Sequence, residues 1–473
     1  MERKPRVLLV SPPYYFLFGA GRAHIMPLGL LYVASVLRSR GFDVLVYNAD
    51  TATSQPAKSF WHHSQYDYAL YRRNLSDGGH SAWLRLSSLI REVQPDAVGV
   101  GFLSMSFTSA SKVAEIAKGI KKDTVLVAGG IDATVRPTEV LEGGCFDYVV
   151  RGEGEATTPE LLENVFGGGD AHGVKGVSFR EGGRIVSTPN RPPAKNLDEI
   201  PFPARDLLLQ REYYTPSDFG KIISGRGCPY GCDFCSCSMA WGGAYRQRSP
   251  ENFVDEIEEV QDKYGTRVFA FEDDLFYHDE RRVSAICNLI KRRALGIEWG
   301  CMMRANSINP RVVERMVDAG LVSVNIGVES ASQRMLDAMN KKLDIREAKE
   351  NISMLKRMGV YVRAYFLLGY PGETRETLEE TKRLIRELDV EYTVEMFQPF
   401  HGTGVYERLK AEGRLRSLPI DEHYDYYNQT FTGGRIDHSH LVEEHRMMIR
   451  DGEAKQREKL SEFLKNRGRG NGT

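Results

Sequence analysis

Two series of short apolar runs, each run followed by a stretch of helical spacing, occupy most of the 473-residue chain. Strands that alternate with helices in this way are typical of α/β folds with parallel sheets. In the first series, within residues 1–165, the predicted strands are Arg6–Val10, Phe42–Tyr47, Ala97–Phe102, Thr124–Ala128 and Asp147–Val150. We expect them to form a doubly wound, Rossmann-like parallel sheet.

The second series begins at Lys221 and indicates a different α/β architecture. Its predicted strands are Lys221–Ser224, Val268–Glu272, Glu298–Met303, Val322–Val328, Tyr361–Leu368 and Glu391–Pro399. Six βα units in a row favour a full or partial TIM barrel over residues 216–403, and in such barrels the chemistry lies at the carboxyl ends of the strands.

Two further segments differ in composition from both series. Residues 166–215 are rich in glycine and proline, which predicts a linker that contains a small hairpin of Val177–Phe179 with Arg184–Ser187. Residues 404–473 are polar with helical spacing, so we expect a helical C-terminal region whose basic end, RGRGNGT, is a disordered tail.

Composition excludes several classes of protein. The net charge is −1, which gives no reason to expect nucleic acid as a partner, and no window of 18 apolar residues predicts a transmembrane segment. Seven cysteines, four of them within ten residues, do not resemble a disulfide scaffold. They indicate a metal or redox site in a cytoplasmic protein.

The cysteines cluster in one loop directly after the first strand of the second series, in the sequence CPYGCDFC from Cys228 to Cys235. Thiolates bind iron–sulfur clusters, and a [4Fe–4S] cube normally takes four ligands. Three cysteines leave one iron open to an amine and a carboxylate. The alternative is a zinc site completed by Cys237, but four ligands within ten residues fit a tetrahedron poorly.

Residues 221–400 resemble the radical S-adenosylmethionine superfamily, whose hallmark is this Cys-x3-Cys-x-aromatic-Cys loop after the first strand of a (βα)6 partial barrel. Phe234 is the aromatic residue. The resemblance implies a [4Fe–4S] cluster held by Cys228, Cys232 and Cys235, with S-adenosylmethionine on the open iron.

The resemblance also implies where S-adenosylmethionine is bound. The FEDD sequence from Phe271 would hold its amino group, GVES from Gly327 its ribose or methionine part, and YFLLGYPGE from Tyr365 its adenine. An arginine on the third or fifth strand would pair with the methionine carboxylate or form a structural ion pair. The candidate contacts are Phe234, Glu272, Asp273, Arg304, Glu329, Ser330, Arg363, Leu367 and Gly369.

Residues 1–155 resemble the cobalamin-binding domain that precedes the barrel in one branch of the superfamily. The features that carry this resemblance follow predicted strands, at Ser11, Pro12, Pro13, Ser104, Gly129, Gly130, Gly152 and Glu153. The Asp-x-His-x-x-Gly motif is absent and His24 lacks its spacing, so cobalamin is expected without a histidine ligand. The alternative is a sheet that binds no cofactor or that docks the substrate.

What the resemblance implies is a cobalamin-dependent C-methyltransferase acting on a small molecule, a lipid or another natural product. A one-electron donor such as flavodoxin or ferredoxin would reduce the cluster, and cobalamin would deliver the methyl group. Two alternatives stay open. One is ring closure or oxidation, as in the anaerobic cyclases of tetrapyrrole synthesis; the other is a zinc-stabilised binding module.

Overall fold

The structure is a computed structural model, and it describes residues 4–19, 25–51, 68–425 and 427–470. The chain forms two compact units. The first comprises Met1–Phe219, Ser236–Arg246 and Leu418–Asp425, and the second comprises Gly220–Cys235, Gln247–Ser417 and Tyr426–Thr473.

The first unit is built on a seven-stranded sheet. Its strands are β1 (Arg6–Ser11), β2 (Asp43–Asn48), β3 (Ala97–Gly101), β4 (Val125–Gly129), β5 (Tyr148–Val150), β6 (Val177–Glu181) and β7 (Arg184–Ser187). The strand order is β2-β1-β3-β4-β5-β6-β7, and β1 to β5 are parallel. The predicted doubly wound sheet is confirmed; the order of the strands reverses at β1, which lies between β2 and β3.

Helices cover this sheet because its strands are apolar on both faces. They are α1 (Leu28–Ser39), α2 (Tyr68–Ser76), α3 (Ser81–Val93), α4 (Phe107–Ile120), α5 (Ile131–Val135), α6 (Pro137–Glu142) and α7 (Gly154–Phe166), followed later in the chain by α8 (Cys237–Ala240). Trp83 and Leu86 of α3 pack with Val98 and Val100 of β3 in one buried core. A sheet buried on both faces leaves its strand ends for ligands.

The segment expected to be a linker is part of the first unit. The hairpin of β6 and β7 extends the sheet, because Tyr148 of β5 pairs antiparallel with Phe179 of β6. The first unit then continues to Phe219. The hairpin is thus present, and it lies within the sheet.

The second unit contains six parallel strands in the order β15-β14-β13-β12-β11-β8. They are β8 (Lys221–Ile222), β11 (Val268–Phe271), β12 (Glu298–Met303), β13 (Leu321–Glu329), β14 (Tyr361–Leu368) and β15 (Glu391–Met396); the two-residue strands β9 (Gly225–Arg226) and β10 (Arg246–Gln247) lie outside this sheet. The predicted partial barrel is confirmed, and among the described residues β8 and β15 remain its two edges.

Side chains in the middle of these strands alternate between two environments. Val362 and Ala364 of β14 are buried, whereas Arg363 between them is half-buried on the opposite, lumen-facing side. The outer side packs on α9 (Pro250–Tyr264), α10 (Glu280–Arg292), α11 (Pro310–Asp318), α12 (Gln333–Ala338), α13 (Ile345–Arg357) and α14 (Arg375–Leu388). Five of these helices begin at a side-chain N-cap, at Ser249, Asp279, Asn309, Asp344 and Thr374.

The C-terminal region is helical, as expected, with α15 (Gly404–Ala411), α16 (Ile420–His423) and α17 (His438–Gly470). The expected disordered tail differs, because α17 includes residues 467–470; residues 471–473 lie outside the described part. Among the described helices, none is long and apolar enough to cross a membrane.

Candidate active site

The three cysteines of the CPYGCDFC loop follow β8 at the carboxyl end of the barrel strands and are half-buried thiols. Burial raises the pKa of the Cys228 thiol, and the nearby Arg304 guanidinium opposes that shift. Across the described ranges, no three His, Cys, Asp or Glu side chains converge on one point as single-ion ligands would. Three thiolates from one short loop can each bind a different iron of a [4Fe–4S] cube, so this donor set fits such a cluster.

Arg304, just beyond β12, contacts the loop directly. Its guanidinium lies 3.9 Å from the centre of the Tyr230 ring, and Nη1 donates to Cys232 Sγ at 3.7 Å. Nη2 donates to the Lys341 and Lys342 carbonyls. In the described part of the chain Arg304 has no carboxylate partner. Arg304 therefore does not form the structural ion pair that was the alternative to a cofactor contact.

Glu329 ends β13 in an ion pair that the sequence did not reveal. Its Oε1 lies 2.6 Å from Lys341 Nζ, and the two side chains are 12% and 8% exposed. Lys341 Nζ also lies 5.9 Å from the Phe234 ring centre. A Cβ on Gly327 would stand 2.5 Å from Glu329 Oε1, so a larger residue here would displace the carboxylate from this position. The structure thus brings Phe234 and Glu329 to one place.

Asp273 is placed at the entrance of the cysteine loop. Oδ1 accepts from Ser224 Oγ at 2.9 Å and Oδ2 from the Ser224 N–H at 3.2 Å. Burial raises the pKa of this carboxyl to about 6, although these bonds oppose the shift. Glu272 is exposed and lies 3.9 Å from Lys221. The cofactor contacts of both acids stay predictions, and Asp273 also holds the loop.

Two other predicted contacts already have protein partners. Ser330 is fully buried, with its hydroxyl 3.3 Å from Thr381 Oγ1. Arg363 donates to the buried Glu391 carboxylate at 2.5 Å, which is the structural alternative for this arginine. Their cofactor roles stay predictions that these contacts do not favour.

Phe234 and Leu367 pack against one apolar cluster, formed by Met335, Met339, Tyr370, Phe397, Val405 and Leu409. Gly369 follows β14 with φ +82°, and its N–H donates to Glu373 Oε2 at 2.5 Å. Burial raises the pKa of the Glu373 carboxyl to about 7, although this bond opposes the shift. The structure brings the aromatic position of the loop and the predicted adenine strand together.

In the first unit, the predicted residues lie at the carboxyl edge of the parallel strands, and several have structural partners. The Pro13 carbonyl beyond Ser11 and Pro12 accepts from Ser109, and Ser104 donates to Asp132 at 2.6 Å. Glu153 forms a nearly buried ion pair with Arg246 at 2.9 Å. Pro13, Ser104 and Glu153 therefore have structural roles at this edge, independent of any ligand.

The glycines leave this edge open. No described atom lies within 4 Å of a Cβ built on Gly129 or Gly152, and the neighbouring Leu103 is 54% exposed. Gly130 has φ +105°, and a Cβ there would strike the Phe102 carbonyl oxygen. Open backbone beside an exposed apolar side chain suits a large cofactor such as cobalamin. His24 lies outside the described residues.

The six parallel strands and the three-cysteine loop define a radical S-adenosylmethionine enzyme. The family model of the Radical SAM superfamily matches residues 222–385, and that of the B12 binding domain matches residues 22–162. The chain belongs to the branch of the radical S-adenosylmethionine superfamily that carries a cobalamin-binding domain.

Individual relatives include two kinds of enzyme. The "Uncharacterized methyltransferase PH0819" of Pyrococcus horikoshii is 34% identical over 336 residues, 70% of this chain and 73% of that protein. The anaerobic magnesium-protoporphyrin IX monomethyl ester cyclase of Rubrivivax gelatinosus is 30% identical over 453 residues, 93% of this chain and 75% of that protein.

A solved structure shares the fold. It is the radical S-adenosylmethionine methyltransferase TsrM of Kitasatospora setae, with cobalamin and a [4Fe-4S] cluster bound. The TM-score is 0.67 at 20% identity, and the match covers 88% of this chain and 76% of that chain.

Proposed function

We propose that this enzyme methylates an unactivated carbon of a small-molecule or lipid substrate, using a [4Fe–4S] cluster, S-adenosylmethionine and cobalamin. The observation that carries the proposal is the convergence of Arg304 and the Glu329–Lys341 pair on a three-cysteine loop. These groups together offer thiolates, two cations and a carboxylate at one strand edge.

Each group suits a different part of S-adenosylmethionine. Arg304 and Lys341 are nearly buried cations that suit the methionine carboxylate, and Glu329 suits the ribose hydroxyls as an acceptor. Phe234 and Leu367 offer an apolar wall for adenine. When bound and reduced, the cluster supplies the electron that cleaves S-adenosylmethionine to methionine and a 5′-deoxyadenosyl radical.

The protein would hold the radical near its target and exclude water and oxygen. At the carboxyl edge of β1 to β5, the open backbone of Gly129 and Gly152 would support cobalamin, without a histidine ligand. When bound, cobalamin supplies the methyl group. We further propose flavodoxin or ferredoxin as the electron donor, in the reducing cytoplasm that a cluster requires.

The decisive experiment is anaerobic reconstitution with iron and sulfide, then addition of corrinoid, S-adenosylmethionine and reductant. We expect iron with acid-labile sulfide, a corrinoid absorption spectrum, and both 5′-deoxyadenosine and S-adenosylhomocysteine. Absence of S-adenosylhomocysteine would end the methylation proposal. Zinc without sulfide would replace it with a zinc-stabilised module.

Substitution of single cysteines tests the ligand set. Cys232→Ala should lose the cluster and the 5′-deoxyadenosine product. The matched control is Cys237→Ala, which removes a thiol two residues beyond Cys235 and should retain both. Loss of the cluster in the control would add Cys237 to the ligands.

A second candidate function is anaerobic ring closure or oxidation. It is favoured by the similarity to a cyclase along 93% of this chain. Product mass separates the two candidates, because methylation adds one CH2 whereas ring closure removes hydrogen.

A further inference from the structure

Asp233 lies inside the cysteine loop, between the ligand candidate Cys232 and Phe234, and its carboxylate has two partners outside the loop. Oδ2 lies 2.6 Å from Arg408 Nη1 of α15 and accepts from the Tyr370 hydroxyl at 3.0 Å. Arg408 Nη2 in turn donates to the Tyr370 hydroxyl at 3.2 Å. The three side chains form a closed triangle.

The backbone of Asp233 is held as well. Its N–H donates to the Met339 carbonyl at 2.9 Å, and its carbonyl accepts from the Val405 N–H at 3.1 Å. Oδ1 rests against Gly404, where a Cβ would overlap it. This one loop residue is therefore fixed from α15, from the turn after α12 and from the end of β14.

Such an arrangement contributes more to position than to stability. Arg408 is 44% exposed and Asp233 18%, and a partly exposed ion pair gives a fold little free energy. Two cysteines, however, stand within two residues of Asp233 in a loop bent by glycine. Contacts just behind metal ligands fix the ligand geometry and the affinity of a site.

We propose that Asp233, held by Arg408 and Tyr370, is a positioning residue that keeps Cys232 and Cys235 at the spacing of the cluster. The C-terminal region from Thr403 then helps to hold the cluster ligands in position. The inference rests on the proposed function only in requiring that the wild-type protein binds a [4Fe–4S] cluster.

Gly404→Ala is the sharpest test, because its methyl group displaces the Asp233 carboxylate and alters no charge or cluster ligand. Asp233→Ala removes the same carboxylate directly. The matched controls are Gly119→Ala, at a helical glycine with open space around its Cβ, and Lys349→Gln, which breaks an exposed ion pair with Glu387. The readouts are the rate of iron loss to a chelator, the electron paramagnetic resonance spectrum of the reduced cluster, and thiol alkylation in the apoprotein.

Both test variants should lose iron about 10- to 100-fold faster than wild type, with an altered spectrum and faster alkylation of Cys232 and Cys235. The controls should match wild type. Arg408→Lys should rescue most of the loss that Arg408→Gln causes. Adding Asp233→Asn to Arg408→Gln should cause no further loss, because the two residues act as a pair.

Iron retention, spectrum and alkylation unchanged in both test variants would overturn the inference. If Gly404→Ala fails to fold, Tyr370→Phe removes two bonds of the triangle, to Asp233 and from Arg408, and must shift the same readouts in the same direction. Wild-type protein that binds zinc instead of a cluster would defeat the proposed function, and with it this inference. A wild-type cluster equally well retained by the variants would defeat this inference alone.

Discussion

Lys341 and Glu329 form an ion pair of 2.6 Å at the carboxyl end of β13, almost entirely removed from solvent. The geometry depends on unusual backbone. Glu329 has φ +67°, and Asn340 and Lys342 on either side of Lys341 have φ +52° and +51°. Strain of this kind persists where the surroundings over-determine it and is frequent at binding sites.

Glu329→Gln should weaken S-adenosylmethionine binding about tenfold, because a neutral amide replaces a charged acceptor. Equilibrium binding of S-adenosylmethionine to the reconstituted protein checks this.

Lys341→Met should lower the free energy of unfolding by about 3 kcal/mol, since it leaves the buried carboxylate of Glu329 unpaired. The double variant with both Glu329→Gln and Lys341→Met should recover most of that stability without recovering the affinity for S-adenosylmethionine. Wild-type affinity in Glu329→Gln would remove Glu329 from the cofactor site.

The Arg363–Glu391 pair allows the two roles of Arg363 to be separated. Arg363→Met leaves Glu391, which is 1% exposed, without its cation, so unfolding should require about 3 kcal/mol less. Combining it with Glu391→Leu should restore most of the loss. We expect S-adenosylmethionine affinity to stay at the wild-type value in the double variant. A large fall there would instead identify Arg363 as the partner of the methionine carboxylate.

The buried carboxyl of Glu373 should make the stability of the fold depend on pH. Burial raises its pKa from 4.5 to about 7, so the folded state holds this proton more tightly than the unfolded chain. The stabilisation is complete below pH 4.5 and disappears as the pH rises through about 7. Glu373→Gln keeps an acceptor for the Gly369 N–H and carries no charge. Its stability relative to wild type should rise by roughly 3 kcal/mol between pH 4.5 and 8.

Denaturant unfolding of both proteins at several pH values provides the measurement. The difference between the two curves isolates Glu373 from the other titrating groups. A difference that does not change with pH would contradict the raised pKa.

Gly129 and Gly130 form a matched pair for testing the cobalamin edge. Gly130→Ala combines φ +105° with a steric clash at Phe102, so it should destabilise the fold by about 2 kcal/mol or more. Gly129→Ala meets no described atom and should fold as wild type does. It should nevertheless weaken corrinoid binding about tenfold, because the methyl group occupies the space for the cofactor. A corrinoid titration followed by absorbance decides; unchanged affinity would move the cofactor away from β4.

Regular elements could be predicted from the sequence because their signals are local. Tyr361–Leu368 and Glu298–Met303 have the same bounds in the prediction and in the structure. The strand expected to reach Pro399 ends at Met396. The three cysteines could be predicted equally well, since one short loop contains all of them.

The partners of the site residues could not be predicted in this way. Lys341 follows α12, a helix of only six residues, and stands between Asn340 and Lys342, which both have positive φ. Ser330 belongs to the GVES motif and Arg363 to a predicted strand, yet their contacts with Thr381 and Glu391 depend on elements packed from elsewhere in the chain. Sequence spacing shows which strand end carries a residue and not which neighbour it meets.

The six-stranded sheet of the second unit leaves β8 and β15 as edges. In a closed barrel, the number and stagger of the strands dictate the diameter. That relation does not apply to a sheet that is not closed. The side chains, and not the hydrogen-bond register, then set the width of its interior. Met302 of β12 is in register with Asn325 and Arg363 on the lumen-facing side and is 38% exposed, so exchanging side chains at such positions changes the space inside without changing the backbone.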